Sequence, residues 1–126
     1  MSLWLWIALG GALGACGRYA VAQWIGGAEF PWATFTVNAL GACAIGALIG
    51  SLGQTAWFNE FGRAFLVTGL LGGFTTFSAF SLEFVQLAQA GAVATALGYV
   101  VLSLVVCGLG ACAGLSISLS ITGSAA

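Results

Sequence analysis

The chain has 126 residues, of which 61% are hydrophobic and 4% charged, with a mean hydropathy of +1.12. A soluble domain carries about 25% charged residues to make a solvated surface, so two basic and three acidic side chains leave an apolar outside whose solvent is lipid. The net charge of −1, without Lys or His, excludes nucleic-acid binding, which needs phosphates neutralised, and removes the commonest metal ligand and proton shuttle.

A membrane span takes about 20 apolar residues, and four stretches supply them. The N-terminus lacks the basic region and cleavage pattern of a signal peptide, so about Leu3 to Trp24 is read as a retained first span. Gly26 to Pro31 forms a turn, and Pro31 suits the first turn of a helix. The second span runs from about Trp32 to Leu52, and Gly53 to Glu60 is the longest polar connection. The third begins near Arg63 and ends near Gln89, and Gln89-Ala90-Gly91 is a tight connection. The fourth occupies about Ala92 to Ile117, and the small, polar tail after it is expected to fray. Trp4, Trp6, Trp24, Trp32 and Trp57 fall near span ends, where an aromatic belt belongs. Four spans leave no room for a soluble domain, so 1–126 is expected to be a single transmembrane domain.

Glycines recur at helical spacing: Gly10 with Gly14, Gly46 with Gly50, Gly110 with Gly114. Small residues four apart let helix backbones approach closely in lipid. Cys16, Cys43, Cys107 and Cys112 lie in apolar segments without the spacing of a zinc or disulfide framework, and read as small hydrophobes.

The third span contains an anomaly, Gly72-Gly73-Phe74-Thr75-Thr76-Phe77-Ser78-Ala79-Phe80-Ser81. Adjacent glycines cost roughly 1 kcal/mol each against Ala in a helix, and four hydroxyls offer the backbone other partners. Non-helical backbone at membrane depth survives only when buried in protein or lining a wet cavity. The stretch therefore reads as a broken helix and a site. Phe77 and Phe80, three apart, project the same way.

Other polar groups join it. Asn38 sits near the middle of the second span with Thr34 one turn before it. Tyr99 and Ser103 share a face of the fourth, with Cys107 a turn further. Glu83 reads as an interfacial carboxylate and Arg18 as a snorkelling side chain. Hydroxyls, one amide and aromatic rings offer hydrogen bonds without fixed charge. A phenyl edge suits an anion and its face a cation, so the residues point to a small-ion pathway and leave the sign open.

Orientation signals are nearly absent. Arg63 lies on the side of the termini and Arg18 leans to the other, so the basic bias that sets topology is close to nil. Insertion both ways, with an antiparallel homodimer, is the expectation. Four short helices are also too few to enclose a polar path alone.

The Gly72–Glu83 stretch resembles the signature of the Fluc/CrcB fluoride channels. So do Gly10-Gly11-Ala12-Leu13-Gly14-Ala15-Cys16-Gly17-Arg18-Tyr19 and Pro31-Trp32-Ala33-Thr34-Phe35-Thr36-Val37-Asn38. The three blocks stand in the family's order and span nearly the whole chain. The resemblance implies a channel and no enzyme: an all-α, dual-topology antiparallel dimer in the bacterial inner (plasma) membrane, passing fluoride passively through two pores. It implies that ring edges of Phe77 and Phe80 line the pore, that Asn38 donates to the ion, and that Tyr99 and Ser103 continue a polar track. Thr34, Ser78 and Ser81 are counted with that pore, and Arg18 and Glu83 with its vestibule or frame. It also implies a structural Na⁺ at the dimer centre, on backbone carbonyls of Gly72 and Thr75. Ala79 stands where family members often have Thr, and Cys107 where Ser is usual.

Two rivals make different demands. A dual-topology multidrug exporter needs a titratable carboxylate in the first span, and there is none. A non-transporting scaffold gains nothing from Gly-Gly beside four hydroxyls.

Overall fold

In the computed structural model residues 2–27 and 29–123 are described; Ala28 of the expected first turn and the last three residues of the tail lie outside the described residues. The chain forms α1 (Leu3–Ile25), α2 (Trp32–Leu52), a π-helical segment π1 (Phe58–Leu71), α3 (Gly72–Phe74), α4 (Phe77–Gln89) and α5 (Val93–Gly123). Four stretches are long and apolar enough to cross a membrane: Leu3–Ile25, Trp32–Leu52, Phe58–Gln89 and Val93–Ile121. The third is the bent one.

Two ends differ from expectation. The third span starts at Phe58, ahead of Arg63, because Phe58 is completely buried and anchors the first turn. The connection is shortened accordingly, and its polar side chains fold onto the backbone: Asn59 Nδ2 donates to Gly53 O at 3.1 Å and Thr55 Oγ1 to Leu52 O at 2.8 Å. The fourth helix continues past Ile117 to Gly123. The Ser120 hydroxyl donates to Ser116 O at 2.9 Å, so the polar side chain is satisfied within the helix.

The spans pack in two parallel pairs, α1 with π1 and α3, and α2 with α5. Rising numbers meet rising numbers in both. A Cβ on Gly10 would meet Phe65 O and Leu70 N, and one on Gly14 would meet Leu70 O and Phe74 N. Across the other seam Gly46 stands against Ala111 O and Leu115 N, and Gly114 against Cys43 O and Ala47 N. These contacts are backbone on backbone, so the expected small-residue seams are what bring each pair together. Gly91 (φ +81°) makes the tight link from α4 to α5 in a conformation side chains rarely adopt.

The interior is small. Val37, Phe58, Phe80, Ala96 and Tyr99 are its buried hydrophobic residues, while Trp24, Leu13, Leu104 and Ile121 face outward. An apolar exterior of this kind is what lipid requires. Cys16, Cys43 and Cys112 are exposed free thiols, with the Cys43 Sγ at the α2/α5 seam beside Gly110.

Candidate functional site

The break in the third span falls at Thr75 and Thr76, just after the two glycines. Gly72–Phe74 still forms a helical turn, whereas Thr75 (φ −79°, ψ 158°) and Thr76 (φ −153°, ψ 116°) are extended. Helix α4 restarts with Thr76 as its N-cap, its Oγ1 accepting from Ala79 N at 3.2 Å. Thr75 turns back on the preceding helix, donating from N and Oγ1 to Leu71 O at 2.9 and 2.8 Å. Glycine's part is to let neighbours close in: Gly73 packs on Gly11, and a Cβ on Gly41 would collide with Thr75 Cγ2.

Two side chains from other spans hold the break. Asn38 accepts from Thr76 N at 2.8 Å and donates through Nδ2 to Thr76 O at 3.1 Å. Arg18 donates from Nε to Gly73 O at 3.2 Å. It therefore does not snorkel to the far end of α1. The parallel packing of α1 brings it level with the break, where a carbonyl released from the helix satisfies it. In a continuous helix Gly72 O and Thr75 O would accept from the N–H groups of Thr76 and Ala79. Those N–H groups go instead to Asn38 Oδ1 and Thr76 Oγ1. Both carbonyls thereby lose the partners a continuous helix would give them.

Beyond the break lies a second polar cluster. Glu83 accepts from Thr34 Oγ1 at 2.6 Å and from Tyr99 OH at 2.7 Å. Its carboxylate is thus the meeting point of three helices, not a free interfacial group. Thr34 and Tyr99 are both buried and spend their protons on it. Charge-assisted hydrogen bonds of this length are the strong ones.

An open cavity of about 560 Å³ lies between α2, the broken span and α5. Asn38, Thr75, Thr76, Phe77, Phe80, Ser103 and Cys107 are among its lining residues, and none of the residues lining it is charged. Phe80 is 8% exposed and Phe77 76%, although their ring centroids are 5.5 Å apart. The shared direction read from the spacing is therefore real, but only Phe80 is covered by this chain. Phe80 also packs on Tyr99 at 4.9 Å, and Tyr99 on Phe30 at 5.2 Å, edge to face. Ser103 is buried, and its Oγ has no hydrogen-bond partner among the described residues. A smaller cavity of about 350 Å³, lined by Glu29, Phe30, Trp32, Glu83 and Gln86 among others, opens on the other side of this aromatic step. Phe80, Tyr99 and Glu83 stand between the two.

Of the remaining expected residues, Ser78 Oγ is 3.2 Å from Thr76 Oγ1, and Ser81 Oγ donates to Phe77 O at 2.9 Å. Sequence reasoning missed Thr76 as the cap that closes the break, although Thr three residues before Ala79 is a cap signal. It also missed the Glu83 cluster, whose members come from three spans and share no spacing.

Four apolar spans define a multi-pass membrane protein, and an open, uncharged cavity lies between three of them. Residues 5–115 match the family described as "CrcB-like protein, Camphor Resistance (CrcB)". A relative from Rhodospirillum centenum named "Fluoride-specific ion channel FluC" is 46% identical over 123 residues, covering 93% of this chain and 95% of the relative. One of the same name from Bordetella petrii is 46% identical over 99 residues, 79% of this chain and 77% of the relative. Another from Opitutus terrae is 46% identical over 112 residues, 85% of each. The chain belongs to the CrcB family.

Proposed function

We propose that this chain is a passive fluoride channel of the bacterial inner membrane, working as an antiparallel dual-topology homodimer with two pores. The observation that carries the reading is the uncharged cavity lined in part by Asn38, Thr75, Thr76, Phe77, Phe80 and Ser103, in a chain whose relatives bear the name of fluoride channels. Fluoride holds its water tightly, so a path must offer several donors in exchange. A fixed positive charge would bind it too well for release.

The donors divide by what they already hold. Asn38 keeps one Nδ2 hydrogen beyond the one given to Thr76 O, and the Ser103 hydroxyl is uncommitted among the described residues. Phe77 and Phe80 supply ring edges. Thr34 and Tyr99 must release Glu83 to meet an ion, and Ser81 must release Phe77 O. These serve the path by exchange, and Ser78 sits at its wall. Arg18 and Glu83 frame it. The outward face of Phe77 suits a partner chain's surface, which would complete each pore. A structural Na⁺ on the Gly72 and Thr75 carbonyls of both copies fits the oxygen donors released by the break.

Purified protein in liposomes loaded with fluoride tests the reading. Fast fluoride efflux without chloride efflux is expected; chloride flux of equal size, or none of either ion, overturns it. A tag on the C-terminal tail should be reachable from both membrane faces across the population, and a single accessible face in every molecule refutes dual topology.

A further inference from the structure

We propose that Phe30 is a specificity-determining residue of the ion path: its ring stands behind Tyr99 and closes the way between the two cavities to anions larger than fluoride. This role rests on the channel reading. Tyr99 is completely buried and lines neither cavity. The ring of Phe80, a lining residue of the 560 Å³ cavity, lies 4.9 Å from it. The ring of Phe30, a lining residue of the 350 Å³ cavity, lies 5.2 Å from it at 80°. Three rings in succession thus part the two spaces, with Tyr99 in the middle and donating to Glu83 at 2.7 Å.

Phe80 and Tyr99 are carried by helices α4 and α5, whereas Phe30 belongs to the connection 26–31 ahead of α2. Its place is set by its neighbours. Trp32 and Phe35 pack on its ring at 4.5 and 6.2 Å, and Trp32 N donates to Phe30 O at 2.8 Å. Among the described residues the ring partners of Tyr99 are Phe30 and Phe80, not Trp32 or Phe35. A phenyl ring fills a large volume, and an interior closes only partly over such a loss. Without the Phe30 ring, water of the second cavity would reach Tyr99, and Tyr99 would be free to turn away from Glu83. A compact anion can be passed by exchange of single donors, as when Tyr99 releases Glu83. A larger one needs the wall itself to give, and the Phe30 ring is what stops it.

Phe30→Ala tests this, with Phe35→Ala as the packing control, since Phe35 belongs to the same ring cluster and lines neither cavity. Fluoride and chloride efflux from liposomes are measured for each. The purified proteins are also treated with N-acetylimidazole, and acetylation of Tyr99 is located by mass spectrometry. The fluoride-to-chloride ratio of Phe30→Ala should fall about tenfold or more, the scale on which one change of side-chain size shifts a pocket's discrimination, and Tyr99 should become acetylated. The unmutated protein and Phe35→Ala should keep the ratio and a protected Tyr99. A native ratio in Phe30→Ala overturns the proposal, and so does an equal fall in Phe35→Ala, which would make the effect one of packing alone. Should Phe30→Ala fail to fold, Phe30→Leu must show the same two changes in lesser degree, and a native ratio there is equally fatal. Absence of fluoride efflux from the unmutated protein sinks the channel reading and the selectivity with it, whereas acetylation still decides whether Phe30 shields Tyr99.

Discussion

The side-chain amide of Asn38 grips the Thr76 peptide at both ends, accepting from its N–H at 2.8 Å and donating to its carbonyl at 3.1 Å. The amide supplies the partner that the Thr76 N–H loses at the break, and adds a second donor to the Thr76 carbonyl, which as the N-cap oxygen opens the ladder of α4. An unsatisfied buried group costs about 1–3 kcal/mol. Asn38→Ala should therefore destabilise the protein by about 1–3 kcal/mol, the Thr76 N–H being left without a partner. Asn38→Asp should be worse, since it sets a carboxylate against Thr76 O and against an entering anion. Thermal unfolding in detergent and fluoride efflux check both; unchanged stability of Asn38→Ala would contradict the geometry.

Glu83 and Tyr99 form a coupled pair. Tyr99→Phe and Glu83→Gln each weaken the 2.7 Å bond. A double-mutant cycle on unfolding should give a coupling of about 0.5–3 kcal/mol, the range for groups in direct contact. Additive effects would mean that the two do not meet in the folded protein.

Phe77 and Phe80 separate stability from function. Phe80 is buried, so Phe80→Ile should cost about 1–2 kcal/mol through imperfect packing. Phe77 is exposed in the single chain, so Phe77→Ile should change the stability of the chain's own fold by no more than about 0.5 kcal/mol. Both should lower fluoride efflux about tenfold or more, as loss of about 1.4 kcal/mol of ion stabilisation does, because isoleucine fills volume without a quadrupole. Undiminished efflux through the double variant removes the rings from the path.

The glycine seams predict opposite outcomes for one substitution. Gly14→Ala would drive its methyl into Leu70 O, and Gly46→Ala into Ala111 O. Forcing the helices apart should cost about 1–3 kcal/mol. Gly98 has open space around its Cβ position, so Gly98→Ala should be neutral or stabilising by up to about 1 kcal/mol. Equal melting temperatures for all three would refute the packing.

Sodium should matter for stability without crossing the membrane. Replacing it by a large organic cation should lower the melting temperature and the flux together. At a concentration about 100 times its dissociation constant a structural ion contributes about 2.7 kcal/mol. Indifference of both readouts to sodium would dispose of the carbonyl site.

The spans, the glycine seams and the bend were legible because each rests on local chemistry: apolar length, small residues four apart, hydroxyls beside glycines. The place of the break was legible only to within a few residues. Gly72 and Gly73 carry the propensity penalty, yet the extended residues are Thr75 and Thr76, because Asn38 from another span decides which peptide leaves the helix. The same limit applies to Arg18, whose partner Gly73 lies 55 positions away. Glu83 was read as interfacial for want of any spacing that ties it to Thr34 and Tyr99. Hydrogen bonds between spans follow from how the helices pair, and no periodicity within one helix encodes them.

The parallel pairing gives the molecule a mechanical grain. Within each pair, backbone rides directly on backbone at Gly14 and Leu70 or at Gly46 and Ala111, so sliding one helix along its mate means lifting it over carbonyl oxygens. Between the pairs, Asn38 on Thr76 clasps the break, while α4, which packs on α5, is tied to α2 and α5 through Glu83 on Thr34 and Tyr99. The molecule is thus built as two stiff plates buttoned together, so sliding within a plate meets more resistance than a change in the spacing between plates. Small changes in how wide the plates stand apart are taken up at the buttons, which lie at or beside the cavity.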